Sequence, residues 1–197
     1  MKIAEARQLY STQIKAYHEQ HTALFKQKKE LEEKMKNEEN GSIIYANEAA
    51  TLELSIKAVE EQKSQYQEYM DKLTQQWNAV ANMEVAKQQG EAMEEYAVDL
   101  AKIMEVARRI MKGGIVPPTD EQKLMEYSME LYQAAKNIGA LVKKEKEEYE
   151  SLWEDDEEKT VAEDPTEIAD NAEAFASGPE IVEVADTMAS VSEGMSE

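Results

Sequence analysis

The chain has 197 residues, 42% of them hydrophobic, with seven glycines, two phenylalanines, no cysteine and a net charge of −20. Without cysteine there is no disulfide framework and no thiolate ligand or nucleophile, and no uncharged apolar stretch approaches the roughly 20 residues that span a bilayer. The acidic balance argues against direct nucleic-acid binding, which depends on Lys and Arg neutralising phosphates; with no apolar run near the start to act as a secretory signal, a cytoplasmic, non-membrane protein is expected.

From Ile3 to Met35 the chain steps by four and three. Positions 3, 7, 10, 14, 17, 21, 24, 28, 31 and 35 carry Ile, Arg, Tyr, Ile, Tyr, His, Leu, Lys, Leu and Met. This narrow stripe is the coiled-coil pattern and predicts a helix over about 2–38. Asn40-Gly41 supplies a left-handed helix stop and Ser42 a cap. The same step resumes at 45, 49, 52, 56, 59, 63, 66, 70, 73, 77 and 80, where only Lys63 interrupts an apolar seam. Two seams of nearly equal length joined by a short loop predict an antiparallel hairpin, with Met35 near Tyr45 and Ile3 near Val80.

The second helix is expected over 43–112, with a kink or break near 88–91, because Gly90 costs about 1 kcal/mol against Ala inside a helix. Beyond it Met93, Ala97, Leu100, Met104, Ala107 and Met111 continue the pattern. Tyr96, Ile103 and Ile110 widen the stripe enough for two neighbours. Gly113 then ends the helix, Pro117 and Pro118 favour an extended link, and Thr119 with Gln122 forms a capping box. A helix over 119–153 follows, lined by Leu124, Tyr127, Leu131, Ala135, Ile138, Val142, Tyr149 and Leu152.

After Trp153 the composition changes. Residues 154–197 hold 15 acidic residues against Lys159 alone, which places −14 there and −6 on the remaining 153. Like-charge blocks such as 154–158 stay solvated, so a disordered acidic tail is expected, carrying short helices at 166–176 and 179–191. In the second of these Ser177 serves as N-cap and Pro179 sits in the first turn. Ile181, Val184, Ala185, Met188 and Val191 form one apolar stripe, the candidate partner-binding element of the chain. A helix this short is below the roughly 12–15 residues needed for marginal stability in water, so it is expected to fold on a partner's groove.

Chemistry is sparse. His18 and His21 are three apart, not the four of the zinc-helix motif, and no Glu-x-x-His occurs. Calcium-loop, phosphate-loop, dinucleotide and nucleophile-elbow patterns are absent. No catalytic, cofactor-binding or metal residue is assigned. The methionines at helical spacing read as core filler, and Arg108-Arg109 as helix-end charge.

The fold class expected is all-α. Its body, 1–153, has three to four helices in long antiparallel coiled-coil hairpins, built as an elongated rod or a four-helix bundle. If unbroken, the 67 residues from 45 to 111 span about 100 Å, with the first helix covering one half and the last helix the other. The function expected is a non-enzymatic interaction protein, a scaffold, adaptor or assembly or secretion chaperone, with protein partners and self-association through its coiled-coil faces. The alternatives are an acidic nucleic-acid mimic, which needs carboxylates at duplex-like spacing on a rigid face, and a metal-dependent helical-bundle enzyme.

Overall fold

The computed structural model describes residues 1–142, 146–153 and 162–194; the expected charged block 154–158 lies outside them. The described residues are all-α, with two isolated β-bridges and no longer strand pairing. The elements are α1 (Ile3–Asn37), α2 (Gly41–Ile44), α3 (Ala46–Met111), α4 (Pro118–Tyr127), α5 (Met129–Ala140), α6 (Pro165–Asn171) and α7 (Val184–Gly194). The chain divides into two compact units. The first comprises Met1–Glu84 with Glu163–Glu197, the second Val85–Ala162.

In the first unit α1 starts with the Glu5 carboxylate accepting from the Lys2 amide (3.1 Å), which satisfies a donor that the helix leaves free. Every α1 seam position from Ile3 to Met35, and every α3 seam position from Tyr45 to Val80, is buried or half-buried. Contacts between the two helices run in opposite order along the chain: Arg7 meets Trp77, Tyr10 meets Tyr69, Tyr17 meets Tyr66, His21 meets Glu60 and Lys28 meets Glu53. Their core is Ala6, Tyr10, Tyr17, Leu24, Ile56, Val59, Tyr66, Tyr69 and Leu73.

Three of the four polar seam residues, Arg7, His21 and Lys28, gain specific partners. The Arg7 guanidinium lies over the Trp77 ring at 5.6 Å. His21 Nε2 is 2.8 Å from Glu60 Oε1, and Lys28 Nζ donates to Glu53 Oε1 at 3.0 Å. The left-handed residue between the helices is Asn40 (φ 66), with Gly41 opening α2. α3 then runs unbroken through Gly90, in place of the expected interruption. One glycine costs about 1 kcal/mol, and helix-forming Ala, Glu, Lys and Gln on both sides absorb that.

In the second unit Val106, Ala107, Ile110, Val116, Leu124 and Ala135 form the core. The helix expected over 119–153 is instead two. Ser128 is extended (φ −158, ψ 110) and its side chain accepts from the Leu131 amide at 3.2 Å, capping α5. Residues 146–153 are non-helical: the Ile115 amide donates to the Glu147 carbonyl (2.8 Å) and the Tyr149 amide to the Ile115 carbonyl (2.9 Å).

The expected Thr119 cap is also absent. α4 begins at Pro118, whose missing N–H is one that a helix start leaves unused. Asp120 is buried instead, and its carboxylate accepts from Ser151 Oγ (2.6 Å) and the Leu152 amide (3.0 Å). Arg109 pairs with Glu105, lies over the Tyr149 ring at 4.6 Å and donates to the Glu150 carbonyl at 3.0 Å. Met93 and Tyr96 are 74% and 64% exposed. Along the widened stripe Ile103, Ala107, Ile110 and Met111 are covered and Leu100 is half-buried, while Met93, Tyr96, Ala97 and Met104 stay exposed.

Lys63 is half-buried on the α3 seam and, among the described residues, forms no ion pair. Replacing it with Leu is expected to raise the melting temperature by about 2–4 °C, the shift that 1 kcal/mol gives a chain of this size. Differential scanning calorimetry checks this; a lower melting temperature would show that the ammonium contributes to the seam.

Candidate functional site

A seam that only had to pack could be built from Leu and Phe. This one places Tyr10 and Tyr17 on α1 and Tyr66 and Tyr69 on α3, with Tyr10–Tyr69 centroids 4.7 Å apart and Tyr10–Tyr66 and Tyr17–Tyr66 both 5.6 Å apart. The tilted and edge-on rings fill the core while each hydroxyl reaches its rim. There they meet the stretch 172–183, which connects α6 to α7 without helix or ladder.

A non-helical stretch whose backbone is paired only at its start, where the Ile3 amide donates to the Ala172 carbonyl (2.9 Å) and the Ala174 amide to the Met1 carbonyl (3.1 Å), has further groups to satisfy, and side chains of α1 and α3 supply the partners. The Tyr69 hydroxyl donates to the Ala176 carbonyl (2.8 Å) and the Tyr10 hydroxyl to the Pro179 carbonyl (2.7 Å). Tyr66 works in both directions: it donates to the Glu180 carbonyl (3.1 Å) and accepts from the Val182 amide (2.9 Å). Tyr17 donates to the Val182 carbonyl (3.0 Å) and lies 2.6 Å from the Thr187 hydroxyl. Gln76 closes the other end, donating to the Glu173 carbonyl (2.6 Å) and accepting from the Phe175 amide (3.2 Å). Before it, Lys2 and Glu173 form an antiparallel bridge, and Trp77 Nε1 donates to Asp170 at 2.7 Å.

At the centre of this stretch only glycine fits. A Cβ on Gly178 would lie 2.5 Å from Tyr10 Cζ and 2.6 Å from Tyr69 Cε1, well inside van der Waals contact. Past it, Ile181, Val184 and Met188 pack against the α1–α3 core. Beside Met188 the groove opens into a hollow of about 430 Å³, lined also by Leu24, Leu31, Leu52 and Ser55.

The candidate stripe is thus split. Ile181, Val184 and Met188 face the core, Val191 is half-buried and Ala185 is exposed. Helix starts only at Val184, not at 179, because Tyr66 and Tyr17 hold the backbone of residues 180 and 182 in extended form; Pro179 lies in that stretch and Ser177 caps nothing. α6 spans Pro165–Asn171, capped by Asp164, rather than 166–176. Within 162–194, α6, the connecting stretch and α7 lie against side chains of α1 and α3.

His21 is taken up by Glu60 and His18 is exposed; among the described residues no three His, Cys, Asp or Glu side chains converge as a cation site. No helix among them is long and apolar enough to cross a membrane. Comparison with protein-family models, curated proteins and solved structures returns no match.

Sequence reasoning passed over the tyrosines, Gln76 and Gly178. The signal was available: nine tyrosines stand against two phenylalanines, and five of them, Tyr10, Tyr17, Tyr45, Tyr66 and Tyr69, fall on or beside the seams. A buried ring that keeps a hydroxyl implies a polar group within reach.

Removing the Tyr66 hydroxyl leaves the Val182 amide without its acceptor, so Tyr66→Phe is expected to cost about 1–3 kcal/mol, the penalty for a buried group left unsatisfied. Urea unfolding with amide exchange at Val182 checks both the size and the place of the loss.

Burial raises the Tyr10, Tyr17 and Tyr69 phenols above their ordinary value of 10.0, with the neighbouring tyrosines adding to the rise at Tyr10 and the Thr187 bond opposing it at Tyr17. A proton held more tightly in the folded chain stabilises it fully below the unfolded value, and that contribution is lost as pH rises through the folded values. The urea midpoint is therefore expected to fall as pH climbs above about 10. Replacing all three with Phe should flatten that fall, and an unchanged slope would show that these phenols ionise as freely folded as unfolded.

Proposed function

We propose that the chain is a non-enzymatic interaction protein, a scaffold, adaptor or assembly chaperone, in which α1 and residues 46–84 of α3 form an antiparallel coiled-coil hairpin that engages protein segments. The observation that carries this reading is the row of tyrosines and Gln76 holding residues 173–182 by their backbone. Binding through carbonyls and amides gives affinity that tolerates sequence, and pockets for selected side chains add specificity, the division used wherever proteins capture extended peptides. The stripe Ile181, Val184, Ala185, Met188 and Val191 is the matching half: an amphipathic face that suits a helix-lined groove.

The reading places the interaction in the first unit. Capture from the native cell at physiological salt is expected to recover a discrete protein set that changes when Ile181→Asp and Met188→Asp are introduced together. Recovery of the same proteins in the same amounts from both chains would overturn that placement.

A further inference from the structure

Resting on that reading, we infer that the α1–α3 groove is a receptor for a partner segment of defined chemistry, and that residues 172–188 of the chain are its displaceable resident. The segment is an extended stretch with glycine at the Tyr10–Tyr69 slot. It leads into a helix whose apolar residues repeat the spacing of Ile181, Val184 and Met188 and end in a side chain bulkier than Met.

Three observations define this chemistry. The slot excludes any Cβ at position 178, since both tyrosine rings stand against it. The grip over 173–187 is made by uncharged groups, Gln76 and the four tyrosines acting on backbone and on the Thr187 hydroxyl, and the Met1 carbonyl accepting from the Ala174 amide. Each neutral hydrogen bond is modest in net terms, because it replaces one made to water, so the resident is held by several contacts that can be exchanged. Finally, the resident leaves space: the hollow of about 430 Å³ beside Met188 has Leu24, Leu31 and Leu52 in its wall, the rest of the lining being polar, Glu30, Lys34 and Glu48 among them, and a larger side chain at that position that covers the three leucines would bury more apolar surface than Met does.

The hollow also decides which occupant can displace the tail. A tail tethered in the same chain acts at an effective concentration of order mM. The tail of a second copy has identical contacts and no tether, so it competes poorly. A partner segment that fills the hollow gains what the resident lacks.

The test uses the full chain and fluorescent peptides spanning 172–194, read by anisotropy. The apparent affinity of an occupied groove is reduced by the fraction of time it stands open. The wild-type chain is therefore expected to bind the wild-type peptide at least tenfold more weakly than a full chain carrying Gly178→Ala, whose own tail no longer fits. A peptide with Met188→Trp should bind the opened chain about tenfold more tightly than the wild-type peptide, and one with Gly178→Ala should not bind. Circular dichroism and thermal melting establish that the opened chain is folded; Ile181→Asp with Met188→Asp is the second way to open it.

Equal binding of the Gly178→Ala peptide would remove the slot, and no gain on opening would remove the resident. Unfolding of both opened chains would make the tail part of the core instead. A wild-type mass that doubles with concentration while the peptide binds would replace the partner by a second copy. These outcomes concern purified chain and peptide. They are separable from cellular capture, which can fail while the peptides bind, or succeed through another surface while they do not.

Discussion

The first unit depends on how a backbone without a strand partner is satisfied. Beyond the single bridge at Glu173, residues 175–183 have neither helix nor sheet to occupy their carbonyls and amides, and an unpaired buried backbone group costs as much as a lost hydrogen bond. Phenol hydroxyls solve this because they sit at the end of a rigid apolar ring. The ring belongs to the helix–helix seam while the oxygen emerges at its edge. Tyr66 shows why phenol is used rather than a purely donating group: its O–H donates a hydrogen bond to the Glu180 carbonyl and its oxygen accepts one from the Val182 amide. The same four side chains therefore hold α1 against α3 and hold the tail against both.

How much of this was legible in the sequence follows from the range of each interaction. The seams are repeated at every turn, so their period is written many times over; each residue from Ile3 to Met35 and from Tyr45 to Val80 on those seams is at least half-buried. The partners of the tyrosines lie 107 to 170 residues away and leave no periodic trace. What a sequence can show is the anomaly of choosing tyrosine over phenylalanine in a seam. The tail itself reads as a solvated acidic segment because its carboxylates are counted, whereas its holding contacts belong to backbone, which composition does not weigh.

The second unit misleads for a related reason. Leu124, Leu131 and Ala135 share a helical spacing that bridges Ser128, so the pattern reads as one helix. The chain breaks there because the Ser128 side chain takes the Leu131 amide, and the α4 side is fixed from elsewhere: the buried Asp120 carboxylate receives Ser151 and the Leu152 amide from 31 and 32 residues on. Those bonds hold residues 151 and 152 in an extended path across the start of α4, and a continuous helix over 119–153 would carry them away from it. Local propensity is a weak prior that such tertiary bonds override. The uninterrupted passage of α3 through Gly90 is the converse case, in which one poor residue is outvoted by good helix formers on either side.

The acidity of the tail and its attachment are separate properties carried by different residues of one segment. Gly178, Pro179, Ile181 and Val182 are partly covered, whereas Glu173, Glu180 and Glu183 are exposed. Bringing a carboxylate against the seam would mean desolvating a charge, which costs several kcal/mol even after relaxation, and the exposed glutamates avoid this. Screening by salt acts mainly on exposed charges, so it reaches the carboxylates and leaves the phenol–backbone contacts largely untouched. A segment built this way stays highly charged for solubility and steering while its grip is set by shape, by the glycine slot and by uncharged hydrogen bonds. Attachment of the tail to α1 and α3 therefore turns on backbone path and side-chain volume rather than on its carboxylates.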